Sequence, residues 1–184
     1  MHHIDTFYGE ISHALLNKFA EIKLLVCDVD GVFSDGRIYM GNGGEELKAF
    51  HTLDGYGVKA LQKVGVTVAI VTGRQSKIVE NRMSALGIQY IIQGQEQKRE
   101  AVASLQSQLN IKPEHTGSIG DDMPDIGMFA LSGLKLSVVS GHPQVKKQAD
   151  YVTATPGGFG AVREICDLIL QAQGKLDEVY GASI

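Results

Sequence analysis

The sequence has only two cysteines, four prolines and no basic excess. Two cysteines cannot build a disulfide framework. With Cys27 inside an apolar run and Cys166 in a late helical stretch, they also lack zinc-ligand spacing, so a reducing cytoplasm is the expected setting. No segment approaches the roughly 18 apolar residues of a membrane-spanning helix, and residues 1–19 lack both a basic leader and an apolar core followed by small residues. A protein neither secreted nor membrane-bound is expected. The net charge of -4 leaves no clustered Lys and Arg for a nucleic-acid footprint. Neither GxGxxG nor GxxxxGK[ST] occurs, which argues against a dinucleotide or P-loop nucleotide site. Repeats, low-complexity tracts and linkers are also lacking. His2 and His3 are expected to lie in a frayed terminus.

What is present suits one well-buried core: 184 residues, 43% hydrophobic and 21% charged, expected to form a single domain over 1–184. The organising stretch is Leu24-Leu25-Val26-Cys27-Asp28-Val29-Asp30-Gly31-Val32. An apolar run of the kind found in buried parallel strands ends in two carboxylates one residue apart, and a glycine then lets the backbone turn away. Residues 11–20 carry apolar positions at helical spacing. Beyond the acidic pair, Asp35-Gly36 and Asn42-Gly43-Gly44 bracket two short extended segments, 37–40 and 46–50, as a β-hairpin would. From residue 54 the pattern becomes regular, with helices near 55–64, 76–86, 97–109, 126–131, 144–147 and 161–173 alternating with strands near 66–72, 89–92, 117–120 and 135–139. This predicts an α/β fold: a three-layer Rossmann-like sandwich with a mostly parallel sheet and a β-hairpin insertion, at about 36–50, after the first strand.

In open parallel sheets the binding crevice lies beyond the carboxyl ends of the strands. Those ends carry Asp28 and Asp30, then Thr72-Gly73-Arg74, then Asp121-Asp122 with Asp125, while Lys98 opens a helix between the third and fourth strands. Carboxylates gathered from separate strand ends repel unless a hard divalent cation neutralises them. Oxygen ligands without His or Cys select Mg2+. A phosphate beside that cation would also meet the Thr72 hydroxyl, the Gly73 N–H and the Lys98 ammonium. Phosphoryl transfer is the chemistry this implies, with Asp28 as nucleophile and Asp30 as the acid that protonates the leaving alkoxide and then activates water.

Taken together, LLVCDVDGV, VAIVTGR, Lys98 and SIGDDMPD resemble, in order, the four motifs of the haloacid dehalogenase superfamily of aspartate-nucleophile phosphatases. The resemblance implies Asp28 as nucleophile, Asp30 as acid/base, and Thr72 and Lys98 on the phosphate. It also implies a metal held by Asp28, the Asp30 carbonyl and Asp121, with Asp122 and Asp125 supporting. Short length, a hairpin in place of a large cap, and the stretches HTLDGYGVKAL and GGFGAVREICDLILQAQGKLDE look like the small capless phosphatases of 3-deoxy-D-manno-octulosonate 8-phosphate in lipopolysaccharide synthesis. That similarity implies a homotetramer in which a neighbouring subunit covers each site. It points to His51, Thr52, Leu53, Asp54, Gly55, Lys59, Arg74 and Arg82 as substrate contacts.

Three other outcomes are distinguishable. A phosphatase for a different sugar-acid phosphate would share every motif. A phosphate-accepting receiver domain would carry its acidic pair and acceptor in a different chain order, and a non-catalytic binding module would not need Asp28, Asp30, Lys98 and Asp121 intact. After the fifth strand, Ser140 stands where relatives tend to carry an acid; it is expected to cap the following helix, and His142 to be structural. Strand alternation turns Cys27 away from the side of Asp28, into packing. The last stretch, 162–184, reads as packing.

Overall fold

The computed structural model describes residues 3–179 and 181. The chain opens with a hairpin, β1 (His3–Thr6) against β2 (Gly9–Ser12), and turns at Ser12 into α1 (His13–Ala20), where the Leu15 N–H donates to the Ser12 hydroxyl at 3.2 Å. The strand β3 (Leu24–Cys27) follows, then the short hairpin β4 (Tyr39–Met40) and β5 (Glu46–Leu47). Alternation then begins with α2 (Thr52–Lys63), β6 (Thr67–Val71), α3 (Lys77–Ala85), β7 (Tyr90–Ile92) and α4 (Lys98–Leu109). It continues through β8 (Thr116–Gly120), α5 (Ile126–Phe129), β9 (Leu134–Ser137), α6 (Pro143–Gln148), β10 (Tyr151–Val152), α7 (Ala161–Ala172) and α8 (Leu176–Val179).

Six strands form one parallel sheet in the order β10-β9-β8-β3-β6-β7. β3 sits inside it, and all four of its side chains are buried. Period-two alternation sorts them to two faces. Leu25 and Cys27 join Val68 and Ile70 in packing against Phe19 of α1, Val58 and Leu61 of α2, and Ile165 and Leu168 of α7. Leu24 and Val26 join Ala69 and Val71 against Val102 and Leu105 of α4 and Met128 of α5. Helices therefore cover both faces, giving the three layers. At about 1.5–3 kcal/mol for each large apolar side chain removed from water, this double burial holds the strand ends in place.

Four expectations need correction. His3 does not fray: it pairs with Ser12, and at the turn of the same hairpin Tyr8 donates to Asp167 Oδ2 of α7 at 2.8 Å. His2 and the tail residues 180 and 182–184 lie outside the described residues. The hairpin strands are shorter than 37–40 and 46–50. A sixth strand, β10, extends the sheet; at two residues it has no periodicity to read. Ser140 does not cap α6: His142 Nδ1 accepts from the Gln144 N–H at 3.2 Å, while Ser140 Oγ accepts the Gly157 N–H at 3.1 Å. Pro143 at the first helical position moves the cap to the residue just before it. Among the described residues no helix is long and apolar enough to cross a membrane.

Candidate active site

At the carboxyl ends of β3, β6 and β8 lies a cleft of about 340 Å³, lined by Asp28, Asp30, Thr72, Gly73, Arg74, Lys98, Asp121, Asp122 and Asp125, with Gly36 and Pro124 at its edge. Its floor is set by the turn after β3. The Val29 carbonyl accepts the N–H groups of Val32, Phe33 and Ser34 at 2.9–3.1 Å, which reverses the chain immediately beyond Asp28. Gly31 makes that turn with φ of 90°, and a Cβ there would overlap the Asp121 carboxylate. Only glycine satisfies both demands. A second loop braces the turn from behind: the Gly158 N–H donates to the Val32 carbonyl at 3.0 Å, and a Cβ on Gly157 would strike the Gly31 carbonyl.

The most buried part of the cleft is a knot of charge. Lys98, the first residue of α4, is 4% exposed and donates to Asp28 Oδ1 at 2.8 Å and Asp125 Oδ1 at 2.6 Å. Burial alone would lower its pKa, but Asp28 and Asp125 together outweigh that effect and raise it, so the ammonium stays charged. The other Asp125 oxygen accepts the N–H groups of Asp121 at 2.8 Å and Asp122 at 3.1 Å, and Asp122 in turn accepts the Met123 N–H at 2.8 Å. Asp125 thus fastens the β8 turn to Lys98.

Asp28, Asp121 and Asp125 bring carboxylate oxygens within 4.8 Å of one another, with neither His nor Cys in the set. Burial, then Asp125, pushes the Asp28 carboxyl up to about 6 against the pull of Lys98. Asp121 is pushed up to about 8, first by burial and then by Asp28, Asp125 and Asp122. One lysine does not balance this much desolvated negative charge. Closely spaced, oxygen-only and strained by mutual repulsion, the cluster fits Mg2+. Asp125 already directs both oxygens to Lys98 and to backbone amides, which leaves Asp28 and Asp121 as the side chains with coordinating capacity and Asp125 as their support.

A second set of charges enters from the hairpin. Asp30 pairs with Lys48, whose side chain is only 1% exposed. Lys48 lies 3.2 Å from Glu46 Oε1, and Glu46 Oε2 accepts from Arg74 Nη2 at 2.7 Å. Neither Lys48 nor Glu46 was among the sequence candidates. Glu46 lies in β5 and Lys48 just past its end, and their approach to the cleft depends on how the hairpin folds back over the strand ends.

Seven candidates do not line this cleft. His51 caps α2, its Nδ1 accepting the Leu53 N–H at 3.2 Å, and Thr52 and Leu53 are exposed. Asp54 is buried and accepts the Arg163 N–H of α7 at 2.9 Å through Oδ1, while its Oδ2 has no hydrogen-bond partner among the described residues; burial pushes this carboxyl up to about 6. Gly55 gives room to Arg82, whose Nη2 would lie 2.7 Å from a Cβ at that position. Lys59 is half-buried on α2.

Residues 90–164 match the haloacid dehalogenase-like hydrolase family model. The 3-deoxy-D-manno-octulosonate 8-phosphate phosphatase KdsC of Yersinia pestis is 50% identical over 182 residues, 99% of this chain and 97% of its own length. A crystal structure of the Yersinia pestis phosphatase superposes with a TM-score of 0.96 at 49% identity, covering 100% of this chain and 99% of the other. The Moraxella catarrhalis phosphatase, solved with magnesium, phosphate and a KDO molecule, superposes with a TM-score of 0.89 at 43% identity, covering 91% and 97%.

Proposed function

The chain belongs to the KdsC family of haloacid dehalogenase-like hydrolases, and from that premise we propose that it hydrolyses 3-deoxy-D-manno-octulosonate 8-phosphate to the free sugar acid and inorganic phosphate. It is a Mg2+-dependent phosphatase, and the observation that carries the assignment is the Lys98–Asp28–Asp125 knot beside Asp121 at the mouth of β3.

The division of labour follows from position. Asp28 Oδ attacks phosphorus in line, forming an O–P bond as the bond to the sugar oxygen breaks. Lys98, with the Thr72 hydroxyl and the Gly73 N–H, holds the phosphoryl oxygens while charge builds on them. Asp30 gives its proton to the departing sugar oxygen. It then takes a proton from the water that attacks the aspartyl-phosphate, so Asp28 is regenerated and phosphate leaves. Asp28, Asp121 and the Asp30 carbonyl would hold a magnesium ion, which would supply neutralisation of the carboxylates and polarisation of a phosphoryl oxygen.

Arg74 at the cleft and Lys59, Arg82 and the 51–55 segment beyond it are assigned to the sugar acid. The separation of the second group from the cleft suits a site completed by a neighbouring subunit of a homotetramer. The hairpin presents Ile38, Tyr39, Met40 and Leu47 to solvent, with Met40 74% exposed, as a subunit contact would require. A cytoplasmic location accords with two buried free thiols.

A phosphate-release screen over sugar and sugar-acid phosphates, with and without Mg2+, on material sized by light scattering, tests this. Mg2+-dependent release from the octulosonate phosphate well above that from hexose phosphates, by a tetramer, is expected, with Asp28→Asn lowering turnover at least about 10⁴-fold. Comparable rates on hexose phosphates would reject the substrate, and near-normal turnover by the variant would reject the nucleophile.

A further inference from the structure

We infer that Lys48, delivered by the β4–β5 hairpin, is the positioning residue for Asp30, so that the insertion serves the acid–base half of the reaction as well as any contact between subunits. The inference rests on the phosphatase reading above. Its ground is geometric. Asp30 follows the nucleophile on a turn, with one quarter of its side chain exposed, and among the described residues no group of the parallel sheet bonds its carboxylate. The group that does hold it comes from another part of the chain. Lys48 engages Asp30 Oδ1, leaving Oδ2 for the proton that moves to the leaving oxygen and later comes from water.

Lys48 is itself fixed. Its side chain is almost wholly buried although it belongs to an exposed hairpin, and its ammonium lies between Asp30 and Glu46. Glu46 is held from its other oxygen by Arg74, at the end of β6. A chain of charges therefore runs from β5 across the cleft mouth, with Asp30 and Arg74 at its two ends. Burying a lysine against a carboxylate that water could solvate adds little net stability, so the contribution of this pair is orientation. The orientation gained is that of a proton donor beside the scissile bond.

Leaving-group chemistry isolates this role. An alkyl phosphate needs its oxygen protonated as it departs; p-nitrophenyl phosphate does not, although hydrolysis of its aspartyl-phosphate still needs a base. For Lys48→Met, kcat/KM on a primary alkyl phosphate turned over by the wild type is expected to fall about 100-fold. On p-nitrophenyl phosphate kcat/KM should stay within about threefold of wild type. Its kcat should fall, and a burst of nitrophenolate should precede the slow steady state. Lys48→Arg, which keeps a donor to Asp30, should recover most of the alkyl activity. Equal losses of kcat/KM on the two substrates, no loss on either, or no recovery with arginine would overturn the inference. Failure of the wild type on the octulosonate phosphate alone would instead count against the substrate, since the ratio can be read with any alkyl phosphate it accepts.

Discussion

Two lysines meet carboxylates at this site, and they do so from opposite kinds of structure. Lys98 begins a twelve-residue helix packed on the sheet and is bonded to two acids that are themselves buried. Lys48 sits just past a two-residue strand, and its chain of partners ends at Arg74, which is 45% exposed. The first lysine is a condition for the site to exist, because it offsets charge that the fold has already desolvated. The second directs one carboxylate and leaves the framework alone. One cleft thus combines a cation required for stability with a cation whose value is in geometry.

Replacing Lys98 by Met should separate the two most clearly. It would leave Asp28 and Asp125 buried without their partner, and removing one member of a buried ion pair costs about 3–5 kcal/mol. Urea denaturation of metal-free protein at pH 8 should show a loss of that size, along with loss of phosphatase activity. The loss should shrink at pH 5, where Asp28, raised to about 6, takes up a proton. A change under about 1 kcal/mol at pH 8 would erase the distinction.

The acids predict a second, smaller effect. Asp28 and Asp121 are raised in the folded state, to about 6 and about 8, from an unfolded value near 4. Between those values the native state binds more protons than the unfolded chain, so stability is fully present below about pH 4 and declines as pH rises toward 8. Magnesium binds the deprotonated carboxylates and reverses that decline. The gap between melting temperatures with and without Mg2+ should therefore widen steadily from pH 5 to pH 8. A constant gap would mean that these acids do not carry the metal.

Much of the knot was legible in the sequence, because each of its members closes a strand or opens a helix, and parallel topology makes such positions converge. Asp28, Thr72, Lys98 and Asp121 were readable for that reason. Lys48 and Glu46 were not, since their positions depend on how a hairpin folds back over the strand ends. The same limit applies to the N-terminal hairpin: HIDT and GEIS are four-residue strands carrying charges, and their pairing rests on contacts such as Tyr8 to Asp167, 159 positions away. Asp54, which the family resemblance offers as a substrate contact, also accepts the Arg163 N–H of α7 across the fold, a partner that no local pattern in the sequence shows.

The mildest test concerns the outer end of the hairpin chain. Arg74 and Glu46 form an ion pair with substantial solvent access, and such pairs contribute about 0–1 kcal/mol. Arg74→Met should accordingly leave urea stability within about 1 kcal/mol of wild type. If Arg74 meets the sugar acid, KM for that substrate should rise about tenfold or more, the scale of a hydrogen bond to a charged group, while kcat/KM for p-nitrophenyl phosphate, which has no carboxylate, should stay nearly unchanged. Glu46 occupies the guanidinium in this structure, so substrate binding exchanges one carboxylate for another and the net gain is reduced by the pair that is broken. Glu46→Gln should weaken that competition and lower KM for the sugar acid, provided Lys48 keeps its hold on Asp30. A stability loss for Arg74→Met as large as that for Lys98→Met would show that the hairpin chain belongs to the framework, and the contrast between the two lysines would fail.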